Sequence, residues 1–443
     1  MNDLALDWLW LYLQIIILVV ITARELMRPR KRNIFAIVMS LTMLILVQGQ
    51  AWWILDQFEG SDIGYIQHLR QTINLGAARL ANMYVGLSVI CFGTTYVLFT
   101  LYTRPVVRRE ADKLQYRTHP PTYNLLAAAW VLVTSTMLLQ ISGGLEAIVF
   151  KPGQTMAGGV TMFLMMVGLG KFPLFHKVAY SQKINWADLA LCSLVLFLFL
   201  LNARFLAIFV LLQLVVLVNY CRVEIPRRGL LGIAFLVFLI LIVFGLYREF
   251  TTRFESVELE ALQEFFVPYI LENGALDWFY HANVEGFVGL AGILTFEASQ
   301  GGIAHDFGLS NLSVLTKLIP YVIRNDPDLP FMAFAETVES MYPYQEGTLI
   351  PSGMEMAYAH FGLPGVLGFG AVLGYLPHWL HTRMSNPRAD RVLIALLSVV
   401  LLHLIRGLFG GTFLLGLVEI IALLVYRFMR SMEDLVRFQR SSI

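Results

Sequence analysis

Eleven apolar runs, most near the twenty residues that cross a bilayer, constrain this chain before anything else does. They lie at about 8–26, 34–55, 79–102, 123–142, 156–175, 187–203, 205–220, 229–247, 362–381, 391–405 and 408–427. Backbone N–H and C=O groups have no water to bond in hydrocarbon, so runs of this length must close their hydrogen bonds internally, as helices. Composition agrees. Apolar residues make up 57% of the 443 residues and charged ones 14%, against roughly a quarter charged in a soluble domain. Mean hydropathy is +0.67. The expectation is an all-α integral membrane protein with about 11 transmembrane helices and one large extracytoplasmic cap. The front MNDLALD has acids, no base and no small-residue cleavage site, so the first run reads as a retained helix, not a signal peptide.

Basic residues favour the cytoplasmic side of membrane proteins. An outside N-terminus places 23 of the 32 Lys and Arg there, including the RPRKR cluster, residues 104–117 and the C-terminal tail. The expected organisation is spans 1–8 in residues 1–247, an extracytoplasmic cap over 248–361, and spans 9–11 with a cytoplasmic tail in 362–443. Cys91, Cys192 and Cys221 show no ligand or disulfide spacing. No metal site and no cofactor are expected. The net charge of +1 carries no polyanion signature, so nucleic acid is not an expected partner.

Two short hairpins carry an arginine at or just below the expected outer turn: Leu201-Asn202-Ala203-Arg204-Phe205 and Leu404-Ile405-Arg406-Gly407-Leu408. A buried arginine is costly and calls for a carboxylate, backbone carbonyls or a functional anion. The guanidinium fork matches phosphate oxygens bidentately, so Arg204 and Arg406 suit a diphosphate lipid headgroup. Snorkelling to ordinary lipid phosphate is the alternative for either one alone. Arg79 and Arg253 are further outer cations, and Lys317 and Arg324 are candidates for the same anion. For Lys317 and Arg324, in KLIPYVIRNDPDLPF, an ion pair with Asp326 or Asp328 is the competing role.

The stretch GTLIPSGMEMAYAHFGLPGVLGFG places Glu355 and His360 where the last polar segment gives way to an apolar run. A carboxylate can serve there as general base and an imidazole can relay a proton. Glu355 can equally be a helix N-terminal acid and His360 an interfacial anchor. Five residues on a helix separate them by about 140°, so sharing a site requires irregular backbone near Ser352-Gly353. Gly353, Gly362, Gly365 and Gly368 would permit turning and close helix approach. His281 and His305 are further cap histidines, and Glu419, in the last span, is expected to pair with a buried polar group. No GxxxxGK[ST], HExxH, GxSxG or CxxC occurs, so ATP-hydrolase, zinc-protease and serine-hydrolase readings have no support.

As an ordered set, FLLNARFLAI, LTKLIPYVIRNDPDLPF, GTLIPSGMEMAYAHFGLPGVLGFGAVLGY and LHLIRGLFGG resemble the O-antigen polymerase (oligosaccharide repeat unit polymerase) family of bacterial membrane glycosyltransferases. The resemblance covers roughly residues 190–430. His360 stands where the family often has asparagine, and Tyr321 follows Ile319-Pro320, with the arginine delayed to Arg324. The family implies a metal-independent enzyme of the bacterial cytoplasmic membrane that joins undecaprenyl-diphosphate-linked oligosaccharides and releases undecaprenyl diphosphate. It implies Arg204 and Arg406 against the leaving diphosphate, Glu355 then His360 as base, and Arg324, Arg253, Lys317, His281 and Arg79 as substrate-binding residues. Membrane lipids, a chain-length regulator and a flippase are the partners it implies. O-antigen ligases, which use a cap histidine, and flippases of lipid-linked sugars are the alternatives.

Overall fold

The computed structural model describes residues 3–28, 32–57, 73–102, 125–141, 167–202, 204–253, 287–302, 305, 307, 353–386, 389–406 and 409–441. Among them the chain is helical, with no strand. In order the helices are α1 (Asp3–Met27), α2 (Ile34–Met43), α3 (Gly49–Gln57), α4 (Leu75–Tyr102), α5 (Leu125–Ile141), α6 (Phe172–Ala179), α7 (Trp186–Asn202), α8 (Arg204–Cys221), α9 (Arg227–Arg253), α10 (Phe287–Gln300), α11 (Gly353–Met384), α12 (Arg391–Arg406) and α13 (Phe409–Ser441). A π-helical turn, Leu44–Gln48, joins α2 to α3, and a 3₁₀ turn, Gly168–Lys171, leads into α6. Four stretches, Leu6–Met27, Ile34–Trp52, Leu75–Tyr102 and Gly353–Met384, are long and apolar enough to cross a bilayer, which makes this a membrane protein.

The burial of α1 is inverted relative to a soluble helix. Leu6, Leu9, Leu13, Ile16 and Val20 form an exposed apolar stripe, while Leu11, Gln14, Leu18, Ile21 and Glu25 are buried. Both sets repeat at three and four residues, so each is one helix face. An outward face that is apolar, with the polar Gln14 and Glu25 kept on the inward face among Leu11, Leu18 and Ile21, is the arrangement that lipid selects.

The chain divides into two compact units. The first comprises Met1–Val107, Asn283–Arg383 and Val400–Leu415. Within it α4 packs against α1 and α10. Polar side chains stitch its buried faces: the Gln14 amide donates to Asn82 Oδ1 (3.0 Å), Gln48 donates to Gln14 (3.4 Å) and Asn82 donates to the Asp7 carbonyl (2.9 Å). Asn33 caps α2 by accepting from Ala36 N, and its amide donates to the Pro377 carbonyl at 3.1 Å. Gly370 and Gly374 bring α11 against the Ser88 and Phe92 carbonyls of α4, closer than any side chain would permit. The two contacts advance together by four residues, so α4 and α11 run parallel on a small-residue seam.

The second unit comprises Arg108–Ala282, Met384–Val399 and Gly416–Ile443. One of its buried charges is Lys171, which reaches Glu419 at 2.5 and 2.7 Å and lies over the Phe172 and Phe175 rings. Glu419 therefore has the polar partner expected of it. Lys177 pairs with Asp188 (2.6 Å), which also accepts from Asn185 N at the start of α7.

Candidate active site

The first unit holds a broken helix. Within α11 the backbone at Gly362 has φ 64° and ψ −151°, a combination essentially confined to glycine. It separates a nine-residue half-helix, Gly353–Phe361, from the long remainder beginning at Leu363. The two pieces fold back on each other. Gly353 lies against the Phe369 ring and Gly365 against the Ala357 carbonyl, an antiparallel pairing about the bend.

The break frees two carbonyls. A continuous helix would bond Leu363 N to the Ala359 carbonyl and residue 364 N to the His360 carbonyl, but residue 364 is a proline without N–H. Two residues far back in the chain supply the missing donors. His305 Nδ1 lies 3.0 Å from the Ala359 oxygen, and Phe307 N donates to the His360 oxygen at 3.1 Å. Since a carbonyl only accepts, His305 carries its proton on Nδ1 here.

Every residue from Gly353 to His360 is buried. The Glu355 carboxylate, 1% exposed, lies directly against Gly289 in the first turn of α10. Glu355 is itself in the first turn of the half-helix. The carboxylate thus lies in the first turn of its own helix, where the dipole favours negative charge, and against the flank of α10 at Gly289. Three residues on, Tyr358 donates its hydroxyl to Glu297 Oε2 at 2.5 Å and packs on the Tyr84 ring, with centroids 5.5 Å apart. The His305 ring stands edge-on to Tyr358 at 6.0 Å. Gly353 touches the Leu404 carbonyl of α12.

The expected site residues fall into three groups. Glu355 and His360 share the half-helix, but its backbone is regular from Gly353, so the five-residue offset turns them to different sides. The irregularity comes at Gly362, after both. Arg406 ends α12 two residues beyond Leu404, the contact of Gly353. Arg204 begins α8 and Arg253 ends α9, both in the second unit. Arg79 Nε lies 2.9 Å from Asp7 Oδ2, an ion pair inside the first unit. His281, Lys317 and Arg324 lie outside the described residues.

Three participants escaped the sequence reading, Gly289, Glu297 and Tyr358; His305 was named there as a cap histidine, but its clasp with Phe307 was not foreseen. Glu297 had a signal, being the one charged residue in FVGLAGILTFEASQ, and a lone charge in an apolar helix is a functional candidate. Gly368, expected as a packing glycine, faces open space; Gly370 and Gly374 take that role. Among the described residues, no three or more of His, Cys, Asp and Glu converge to hold a metal ion. Comparison with protein families, characterised proteins and solved structures found no match.

Proposed function

We propose that this chain is a membrane glycosyltransferase that joins oligosaccharide repeat units carried on undecaprenyl diphosphate, as the O-antigen polymerases do. The observation that carries the reading is the buried half-helix bearing Glu355 and Tyr358, set against the end of α12 that carries Arg406. On this reading eleven spans cross the bacterial cytoplasmic membrane from an outside N-terminus, and residues 248–361 lie on the outer side.

The chemistry follows from the leaving group. As the bond between the donor sugar and diphosphate breaks, negative charge grows on the lipid diphosphate. Guanidinium groups already aimed at that charge stabilise the transition state, each worth about 10²–10³ in rate by analogy with oxyanion donors. Arg406 and Arg204 are the groups assigned to that work. The acceptor hydroxyl loses its proton to a base on or beside the half-helix.

A discontinuous helix is also a device of transporters, whose substrates bind where helices break, and the bend at Gly362 favours a flippase as the second reading. The glycan profile of a strain lacking the gene separates the possibilities. Single repeat units on the final acceptor, with the ladder gone, support the polymerase. Full-length polymer stranded on the lipid carrier points to a ligase. Lipid-linked repeats held on the cytoplasmic face point to a flippase.

A further inference from the structure

Two carboxylates border the half-helix, at opposite ends of α10. Glu355 meets the buried end, where Phe287, Val288 and Leu290 are fully enclosed. It is 1% exposed and faces Gly289. Glu297 stands near the other end, where Ala298, Ser299, Gly301 and Gly302 are exposed. It is half-buried itself, and Tyr84 and His305, which flank Tyr358, are likewise half-buried. A general base must come within hydrogen-bond reach of the proton that it removes. Sealed against a helix turn, Glu355 offers no approach to a sugar hydroxyl in this conformation, whereas Glu297 does.

Taking the polymerase reading as its premise, we infer that Glu297 is the carboxylate that receives the acceptor hydroxyl and that Tyr358 is its positioning residue. Tyr358 engages Oε2, which holds the carboxylate at one oxygen and leaves Oε1 for the substrate. The ligand is the terminal sugar of a lipid-linked repeat unit. Its hydroxyls offer donors to Glu297, and its C–H face can lie on the half-buried Tyr84 ring.

The step balances in one displacement. The acceptor oxygen bonds to C1 of the donor sugar as its proton passes to Glu297 Oε1. The bond from C1 to the phosphate oxygen breaks, and its electron pair leaves with the lipid diphosphate. Protonated Glu297 then returns its proton to water at the exposed end of α10. Glu355, in this assignment, holds the half-helix to α10 and thereby sets where Tyr358 stands.

The test uses full-length purified protein in phospholipid nanodiscs, with lipid-linked repeat units extracted from a strain lacking the gene as the probe. Glu297→Gln should lower kcat by about 10²-fold or more, with little change in KM and an unchanged thermal midpoint. Tyr358→Phe should lower kcat less and shift the acidic limb of its pH profile, which loss of a structural contact alone would not do. Glu297→Gln turning over at about the wild-type rate overturns the assignment. Should that variant fail to fold, Tyr358→Phe with an unaltered rate and profile overturns it equally. Wild-type protein that cannot join the extracted units brings down the polymerase reading itself, an outcome distinct from either variant result.

Discussion

The Glu355 carboxylate and the α-carbon of Gly289 are in such close contact that a methyl group added at 289 would overlap the carboxylate atoms. A glycine in the first turn of α10 therefore forms the seat of a buried acid. Gly289→Ala is expected to displace Glu355, cost about 1–3 kcal/mol from overpacking and lower glycan polymer yield. Glu355→Asp on that background shortens the acid by one methylene and should recover part of both losses. Thermal unfolding and glycan ladders of the two single variants and the double variant measure the coupling. Strict additivity would show that the two positions do not share a seat.

Gly362→Ala places a β-carbon where the backbone has φ 64° and ψ −151°, and 3.0 Å from His305 Nε2. The strain is about 1–3 kcal/mol. The expected outcome is a lower thermal midpoint and shortened glycan ladders at normal expression. An unchanged midpoint would mean that the bend is not held at this residue.

Buried Lys171 is paired with half-buried Glu419 at 2.5 Å. Removing one partner strands the other, at about 3–5 kcal/mol. Lys171→Met or Glu419→Gln should lower the thermal midpoint in detergent sharply. The double variant Lys171→Met with Glu419→Met should recover most of the loss, because an apolar pair of similar volume needs no partner.

Arg406→Ala and Arg204→Ala are each expected to abolish polymer while leaving protein level intact. Arg406→Lys keeps the charge and loses the fork, so it should restore activity only in part. Immunoblots paired with glycan gels decide the matter: full-length glycan from both alanine variants would remove the arginines from the leaving-group site.

Helix placement was legible in the sequence because lipid imposes one pattern, a long apolar run closed by polar residues. The run expected over 79–102 appears as Leu75–Tyr102, and that expected over 205–220 as Arg204–Cys221. The half-helix was not legible as such. MEMAYAHF carries an acid and an imidazole within eight residues, and hydropathy alone starts a span after it, at about 362. What makes it a helix is its enclosure by α4, α10, α12 and the 305–307 clasp, all distant in sequence. Glu355 and His360 could be singled out by type and location, but their separation onto different sides depends on where the backbone bends. That was set by Gly362 with Pro364, and neighbouring glycines offered equal opportunity on paper. Arg79 shows the converse: its charge was visible, its partner Asp7 is 72 residues earlier, and only the packing of α1 on α4 joins them.

The half-helix also bears on the topology of the whole chain. Nine residues of α-helix reach about 14 Å, less than half of the roughly 30 Å hydrocarbon thickness. The segment from Gly353 to Phe361 turns back at Gly362, and a helix of that reach cannot by itself carry the chain across hydrocarbon. The parity of the insertion pattern therefore rests on the helix that starts at Leu363, and hydropathy counting that treats Gly353–Met384 as one uninterrupted rod would assign the same parity for the wrong reason.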